Sequence, residues 1–368
     1  MEKLIPMYDF PREYQLNRDR YVAAFDRVCT AGQFAGGVFT ERFEKDFAAS
    51  LSTENAAAVN SGTDALELSL RALGIGAEDE VIVPSATFTA TPGAVLMTGA
   101  TPVFADCDPD TWEITVTQAE KLITDRTKAI LGVHLYGGMF DAEAMKALCG
   151  VSGLFLIEDT AQAFGSSLHG RKAGTFGDAG CFSFYPTKNL GAFGEGGCVV
   201  SNDAKLTDRV AYFRAHCPGK NGEHPELGYN KRMDGIQAAV LSEKLRDADR
   251  FIRRKKEIAA YYLEALSSSR ALVPQRVLPG SEHSYHLFVV LPEDRSAFRE
   301  YMKEKGIETA VQYRIPCHRQ KVFGKFAAGR ELPVSDMLFS RCVSVPVYPY
   351  LTDDEVMRVA DALKNYHG

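Results

Sequence analysis

Val81-Ile82-Val83-Pro84, Thr101-Pro102-Val103-Phe104-Ala105, Ala129-Ile130-Leu131-Gly132-Val133 and Leu154-Phe155-Leu156-Ile157 are short apolar runs, each closed by a polar or small cluster. From about residue 45 to 215 such runs alternate with helical patterns, the spacing of parallel strands joined by crossover helices, so the chain reads as α/β. Ligands of open α/β sheets gather at the carboxyl ends of the strands, which directs attention to Ser85–Thr91, His134–Gly138 and Glu158–Gln162. Gly180-Cys181-Phe182-Ser183-Phe184 and Gly197-Cys198-Val199-Val200-Ser201 read as two further strands. The Gly-rich link between them carries Lys188 and is too short for a crossover helix, which predicts an antiparallel step beside the parallel core.

Further along, Asp234 to Ser268 reads as one or more long helices with Ile236, Val240, Leu241, Leu245 and Ile252 on an apolar stripe. Tyr285–Leu291 is a strand candidate, Ala297–Lys305 a helix and Glu308–Tyr313 another strand, a pattern suited to a smaller α+β domain. Thr352-Asp353-Asp354-Glu355 fits a capping box, followed at helical spacing by Val356, Val359, Ala360 and Leu363. The expected division is an N-terminal segment and large α/β domain over 1–245, then a small α+β domain over 246–368.

The 368 residues are 45% hydrophobic and 24% charged, which excludes collagen-like, coiled-coil and disordered classes. Lys and Arg total 42 against 48 Asp and Glu, a net charge of −6 that supplies no general field for nucleic acid or anionic lipid. Met1 to Phe10 lacks the apolar run of a signal peptide, and no segment approaches the ~20 apolar residues of a membrane span, so no membrane partner and a cytoplasmic setting are expected. The eight cysteines form no CxxC pair and are expected to be reduced and mostly packing. Of the histidines only His283 and His286 are closely spaced, on a predicted strand that would point them opposite ways, so no metal site is expected. GxxxxGK[ST], HExxH, GxSxG and a strand-to-helix GxGxxG are absent from the sequence.

Lys188 lies in an apolar, Gly-rich turn after a buried strand. Desolvation there lowers an amine's pKa and makes it a nucleophile toward carbonyls, as a Schiff-base lysine requires; an exposed loop lysine is the plainer reading. Glu158 and Asp159 place two carboxylates at the end of an apolar strand, where they cannot both be buried and unpaired. A protonated pyridine nitrogen is one candidate partner, a helix-capping role the alternative. Gly62 and Thr63, in Asn60-Ser61-Gly62-Thr63-Asp64-Ala65, open an amphipathic helix whose free N–H groups suit a phosphate, although plain capping accounts for most such starts. Phe88 is either a stacking surface for an aromatic ligand or a core residue.

Six segments in order resemble the fold-type-I, pyridoxal-phosphate-dependent nucleotide-sugar aminotransferases of the DegT/StrS type: SGTDAL at 61–66, PSATFTAT at 84–91, GATPVFADCDP at 99–109, EDTAQAFG at 158–165, FSFYPTKNLGAFGEGG at 182–197 and GYNKRMDGIQAA at 228–239. The resemblance implies a large domain with a mostly parallel seven-stranded sheet between helices, a smaller C-terminal domain, and pyridoxal 5'-phosphate as cofactor. It implies Lys188 as the Schiff-base lysine and proton shuttle, Asp159 at the pyridine nitrogen, Gln162 at the 3-hydroxyl, Phe88 stacked on the ring, and Gly62, Thr63 and Ser183 on the phosphate. Asn230 is implied to reach the neighbouring subunit's cofactor phosphate, making a homodimer with shared sites. The implied reaction carries nitrogen from L-glutamate to a nucleotide-linked keto-sugar, for amino-sugar biosynthesis.

The loop Phe184-Tyr185-Pro186-Thr187-Lys188-Asn189-Leu190-Gly191 is similar to the branch aminating 3-keto sugars on dTDP or UDP, although Glu195 stands where that branch often has aspartate. A 4-keto-sugar enzyme and a non-catalytic cofactor-binding sensor are the alternatives; a dehydratase of the same fold would have histidine in place of Lys188. Tyr313, Arg314 and His318 fall where the family's small domain approaches substrate, or in a plain loop. Arg214, Lys220, Lys231 and Arg232 would meet a diphosphate or be ordinary solvated charges.

Overall fold

The apolar runs become β1 (Asn55–Val59), β2 (Glu80–Pro84), β3 (Thr101–Ala105), β4 (Thr127–Val133) and β5 (Phe155–Asp159); after a small hairpin, β6–β7 (Ser167–Leu168 and Arg171–Lys172), come β8 (Ala179–Ser183) and β9 (Gly197–Ser201). The computed structural model describes residues 4–368, so Met1, Glu2 and Lys3 of the opening segment lie outside it. Among the described residues the main sheet has seven strands in the order β1-β9-β8-β5-β4-β2-β3. Pairing is parallel from β3 through β2, β4 and β5 to β8. It is antiparallel where β9 lies between β8 and β1, the reversal expected from the short Lys188 link.

Helices α1 (Phe10–Ala31) and α2 (Val38–Leu51) precede the sheet, α3 (Gly62–Ala72), α4 (Ala90–Thr98), α5 (Val116–Glu120) and α6 (Ala142–Ser152) link its parallel strands, and α7 (Ala204–Arg214) follows β9. A parallel sheet buried on both faces needs apolar residues at successive positions, and the pleat sends them alternately to two cores. Val81, Val83, Leu131 and Ile157 join Leu66, Leu70 and Val210 on one face. Ile82, Ile130 and Leu156 join Phe140 and Met145 on the other. Phe43 and Phe47 of α2 cover Phe182, Cys198 and Val200 beside them.

The helical stretch after residue 234 is two helices, α8 (Gly235–Leu245) and α9 (Ala248–Leu266). A second, antiparallel sheet has the order β10 (Leu272–Pro274), β12 (Phe288–Pro292), β13 (Val343–Val345), while β11 (Ser281–Glu282) pairs with β6. Its core joins Ile258 and Tyr262 of α9 to Phe288, to Phe298 of α10 (Arg295–Glu304), and to Val359 and Leu363 of the last helix, Asp353–Lys364. Ile5, from the opposite end of the chain, lies in this core and exchanges backbone hydrogen bonds with Gly306 and Glu308. Thr352 and Glu355 make both bonds of the expected capping box.

Two local expectations are corrected. Glu308–Tyr313 is not a strand: Ala310 bridges Ser344 singly and Ile307 pairs with Ile5, so two different partners divide the segment before a ladder can form. His283 and His286 lie ahead of β12, in a loop where Tyr285 has φ of +50°, which ends extended pairing. All eight cysteines are free, and only Cys29 is exposed. No helix among the described residues is long and apolar enough to cross a membrane.

Candidate active site

The strand ends of the parallel core and the loop leaving β8 form one cleft. Ser61 caps α3, its hydroxyl accepting from the Asp64 amide at 3.1 Å and its carbonyl from the Ala65 amide at 3.0 Å. Among the described residues the amides of Gly62 and Thr63 are left without an acceptor, an open anion seat at a helix N-terminus. Gly62 packs directly on Ser183 at the end of β8: a Cβ there would lie 2.6 Å from that of Ser183. Glycine is what allows the two backbones to meet.

Strand alternation separates the two adjacent carboxylates of β5. Glu158 is fully buried and accepts from the amides of Gly174 (2.9 Å), Phe176 (2.7 Å) and Gly177 (2.6 Å), with His134 Nε2 at 2.9 Å. Asp159 turns the other way and accepts from Thr91 Oγ1 at 2.8 Å and from the Ala161 amide at 3.1 Å. Burial pushes the Asp159 carboxyl above the usual range; those two bonds and the charge of Lys188 oppose the shift. No ion pair is formed with it among the described residues, so the pocket is left short of a cation.

Lys188 follows the turn in which its amide donates to the Tyr185 carbonyl at 2.8 Å. Its amine has no hydrogen-bond partner among the described residues, and burial pushes its pKa down to about 8 despite the nearby Asp159 charge. A larger fraction of free base at neutral pH follows, the form that attacks carbonyls.

Gln162 lies between these groups and the second half of the chain. Its Oε1 accepts from the Tyr136 amide at 2.8 Å, which turns its NH2 toward the Tyr313 hydroxyl at 3.3 Å. Tyr313 packs against Phe88 with ring centroids 5.1 Å apart, and Phe88 remains 49% exposed, an aromatic face held at the cleft.

The remaining expected residues divide. His318 is buried, its Nδ1 2.6 Å from Ser85 Oγ and its Nε2 3.3 Å from Asp336. With the Cys317 amide on the Ser85 carbonyl, it braces the segment that presents Phe88. Arg232 bridges Val59 through its backbone, just ahead of the α3 cradle, whereas Asn230 is exposed and bridges Ala215. Arg214 is bonded to Glu44 and to the Ala58 carbonyl, and Lys231 to Asp64 and Glu67, so neither is a solvated charge or free for a diphosphate. Arg232 and Lys220 have no ion pair among the described residues.

Thr91, Tyr136, Asn189 and Lys255 escaped the sequence reading. Thr91 lies inside one of the quoted segments, and Lys255 interrupts the apolar stripe of α9 at a position where an aliphatic residue is expected.

This donor set fits pyridoxal phosphate: unpaired helix amides and a serine for its phosphate, a buried carboxylate short of a cation for its ring nitrogen, an amide beside an exposed aromatic face, and a desolvated amine for its aldehyde carbon. Residues 16–364 match the DegT/DnrJ/EryC1/StrS aminotransferase family. The chain is 35% identical to the pleiotropic regulatory protein of Geobacillus stearothermophilus, over 99% of this chain and 98% of that protein. It is 38% identical to the dTDP-3-amino-3,4,6-trideoxy-alpha-D-glucose transaminase of Streptomyces venezuelae, over 98% of this chain and 96% of that one. The crystal structure of S. venezuelae DesV in complex with a ketimine intermediate superposes with a TM-score of 0.96 at 38% identity, covering 99% of this chain and 98% of that one. The chain belongs to the DegT/DnrJ/EryC1/StrS aminotransferase family and is a pyridoxal-phosphate-dependent nucleotide-sugar aminotransferase.

Proposed function

We propose that the protein moves an amino group from L-glutamate to a 3-keto hexose carried on dTDP or UDP, working as a homodimer with shared sites. The observation that carries the reading is the pairing of a desolvated amine at Lys188 with a buried, cation-deficient carboxylate at Asp159 in one cleft. A sensor that only held the cofactor would need neither a nucleophilic amine nor a proton carrier. The Phe184–Gly191 loop and the 3-amino sugar in the name of the Streptomyces relative support C3 over C4.

When bound, the cofactor supplies an electrophilic carbon and a ring that accepts electrons from the bond being broken. Lys188 would hold the cofactor at that carbon, and its free amine would serve as the base that carries the proton between the substrate carbon and the cofactor. Asp159 Oδ1 and Oδ2, oriented by Ala161 and Thr91, hold the ring nitrogen's proton in place. Gln162 donates toward the 3-hydroxyl, Phe88 stacks on the ring, and Gly62, Thr63 and Ser183 bind the phosphate, joined by Asn230 of the neighbouring copy. Tyr313 and Arg232 face the sugar nucleotide.

Incubating the aminated holoenzyme with a panel of 3-keto and 4-keto nucleotide sugars, and following the return of the visible band of lysine-bound cofactor, tests the reading. Return with 3-keto substrates on dTDP or UDP is expected. Return with 4-keto substrates alone would reassign the position, and no return with any sugar would sink the proposal.

A further inference from the structure

Lys255 lies between Ile252 and Ile258 in the buried stripe of α9 and is 4% exposed. Its amine donates to Asn189 Oδ1 at 2.7 Å and to the His286 carbonyl at 3.2 Å, and no carboxylate pairs with it among the described residues. A buried ammonium without a counter-ion weakens a fold, and burial pushes this pKa down to about 7. Its place therefore calls for something other than stability.

Asn189 follows Lys188, and its amide is fully committed. Nδ2 donates to the Phe164 carbonyl at 3.1 Å and the Ser284 carbonyl at 3.3 Å, while Oδ1 receives Lys255. The neighbour of the Schiff-base lysine is thus fastened to the segment after Asp159, to the loop ahead of β12 and to α9. Lys188, Asn189 and Lys255 line one cavity with Tyr8 and Tyr348.

We propose that Lys255 is a positioning residue for transamination: acting through Asn189, it fixes the reach and orientation of Lys188. The proposal rests on Lys188 as the cofactor-bearing lysine. An amine donates two hydrogens whether or not it is charged, so the clamp holds on both sides of neutrality. The titratable groups around the two lysines are Asp159 from β5, His283 and His286 ahead of β12, and Tyr8, Asp9, Glu13, Lys244, Tyr348 and Tyr350 along the cavity. Loss of the clamp lets the loop relax and water reach the nitrogen of Lys188, which would favour the protonated form of the lysine-bound cofactor and move the pH midpoint of the visible band upward.

The test uses holoenzyme of the wild type, Lys255→Met, Asn189→Ala and the double variant. Each single variant is expected to slow the donor half-reaction by about 10- to 100-fold, the cost of a misplaced reacting group, with an upward-shifted midpoint. The double variant should be within about twofold of the slower single, as for residues acting through one another. The melting temperature of Lys255→Met should hold or rise, since a desolvated charge is removed. Unchanged rate and midpoint, losses that multiply in the double variant, or a rate that falls only with melting temperature would each overturn the proposal. Borohydride labelling of the wild type separates the two readings: a tag away from Lys188 defeats the reading beneath, whereas a tag on Lys188 with multiplying losses defeats only the role of Lys255.

Discussion

Glu158 and Asp159 are neighbours in one strand, yet the first is closed off by three backbone amides and a histidine and the second faces the Lys188 amine. The pleat alone gives two identical functional groups different duties, one structural and one turned to the cleft.

The structural duty predicts a stability effect without a chemical one. Glu158→Gln places NH2 hydrogens against amides that now donate to oxygen, and should cost about 2 kcal/mol or more, as for buried bonds to a charged acceptor. Denaturant unfolding reads the loss. The fraction still folded should bind pyridoxal phosphate with wild-type affinity, and a selective loss of cofactor would reassign Glu158 to the cleft.

The opposite pattern is expected of Asp159→Asn. Asp159 forms no ion pair among the described residues but lies near the Lys188 charge, so desolvation and attraction oppose one another and the melting temperature of the cofactor-free protein should change little. Transamination should slow by about 100-fold or more, because the charge opposite the ring nitrogen is gone. Stopped-flow bleaching of the visible band by glutamate measures it, and near wild-type rates would show that the ring needs no acid here.

Lys188→Ala removes both the covalent anchor and the proton carrier. Mixing with pyridoxal phosphate should give no lysine-bound band, borohydride should fix no cofactor, and turnover should fall by about 1,000-fold or more. A surviving tag on another lysine would move the chemistry elsewhere.

The pH dependence follows from burial of the same amine. Below about pH 8 it is protonated and unreactive; above, it is free, so the rate of attachment of pyridoxal phosphate to the cofactor-free protein should rise with pH and level off above about 8. Levelling only near 10.5, the ordinary lysine value, would mean the amine is solvated.

Much of this arrangement was legible in the chain because strands of a parallel core are continuous apolar runs, and the chemistry sits where those runs stop. β2, β4, β5, β8 and the Lys188 link all follow that rule. Residues whose duty depends on a distant partner were not legible. Nothing local in Glu308–Tyr313 says that Ile5 and Ser344 divide it, and nothing near Lys255 announces Asn189, 66 positions earlier. His318 suggested chemistry by residue type, but its Nδ1 is bonded to Ser85 and its Nε2 lies 3.3 Å from Asp336, a placement visible only once the loops are folded together.

Asp159 ends β5, and Lys188 rides on the link leaving β8, the strand hydrogen-bonded alongside it with Cys181 opposite Asp159. Acid and amine are therefore spaced by a lattice of peptide bonds whose rungs lie about 4.8 Å apart. Should the C-terminal third of the molecule swing to admit a bulky sugar, Asp159 and the root of the link would stay on the same rigid floor, while the ties from Lys255 and Ser284 to Asn189 would carry the movement to the neighbour of Lys188.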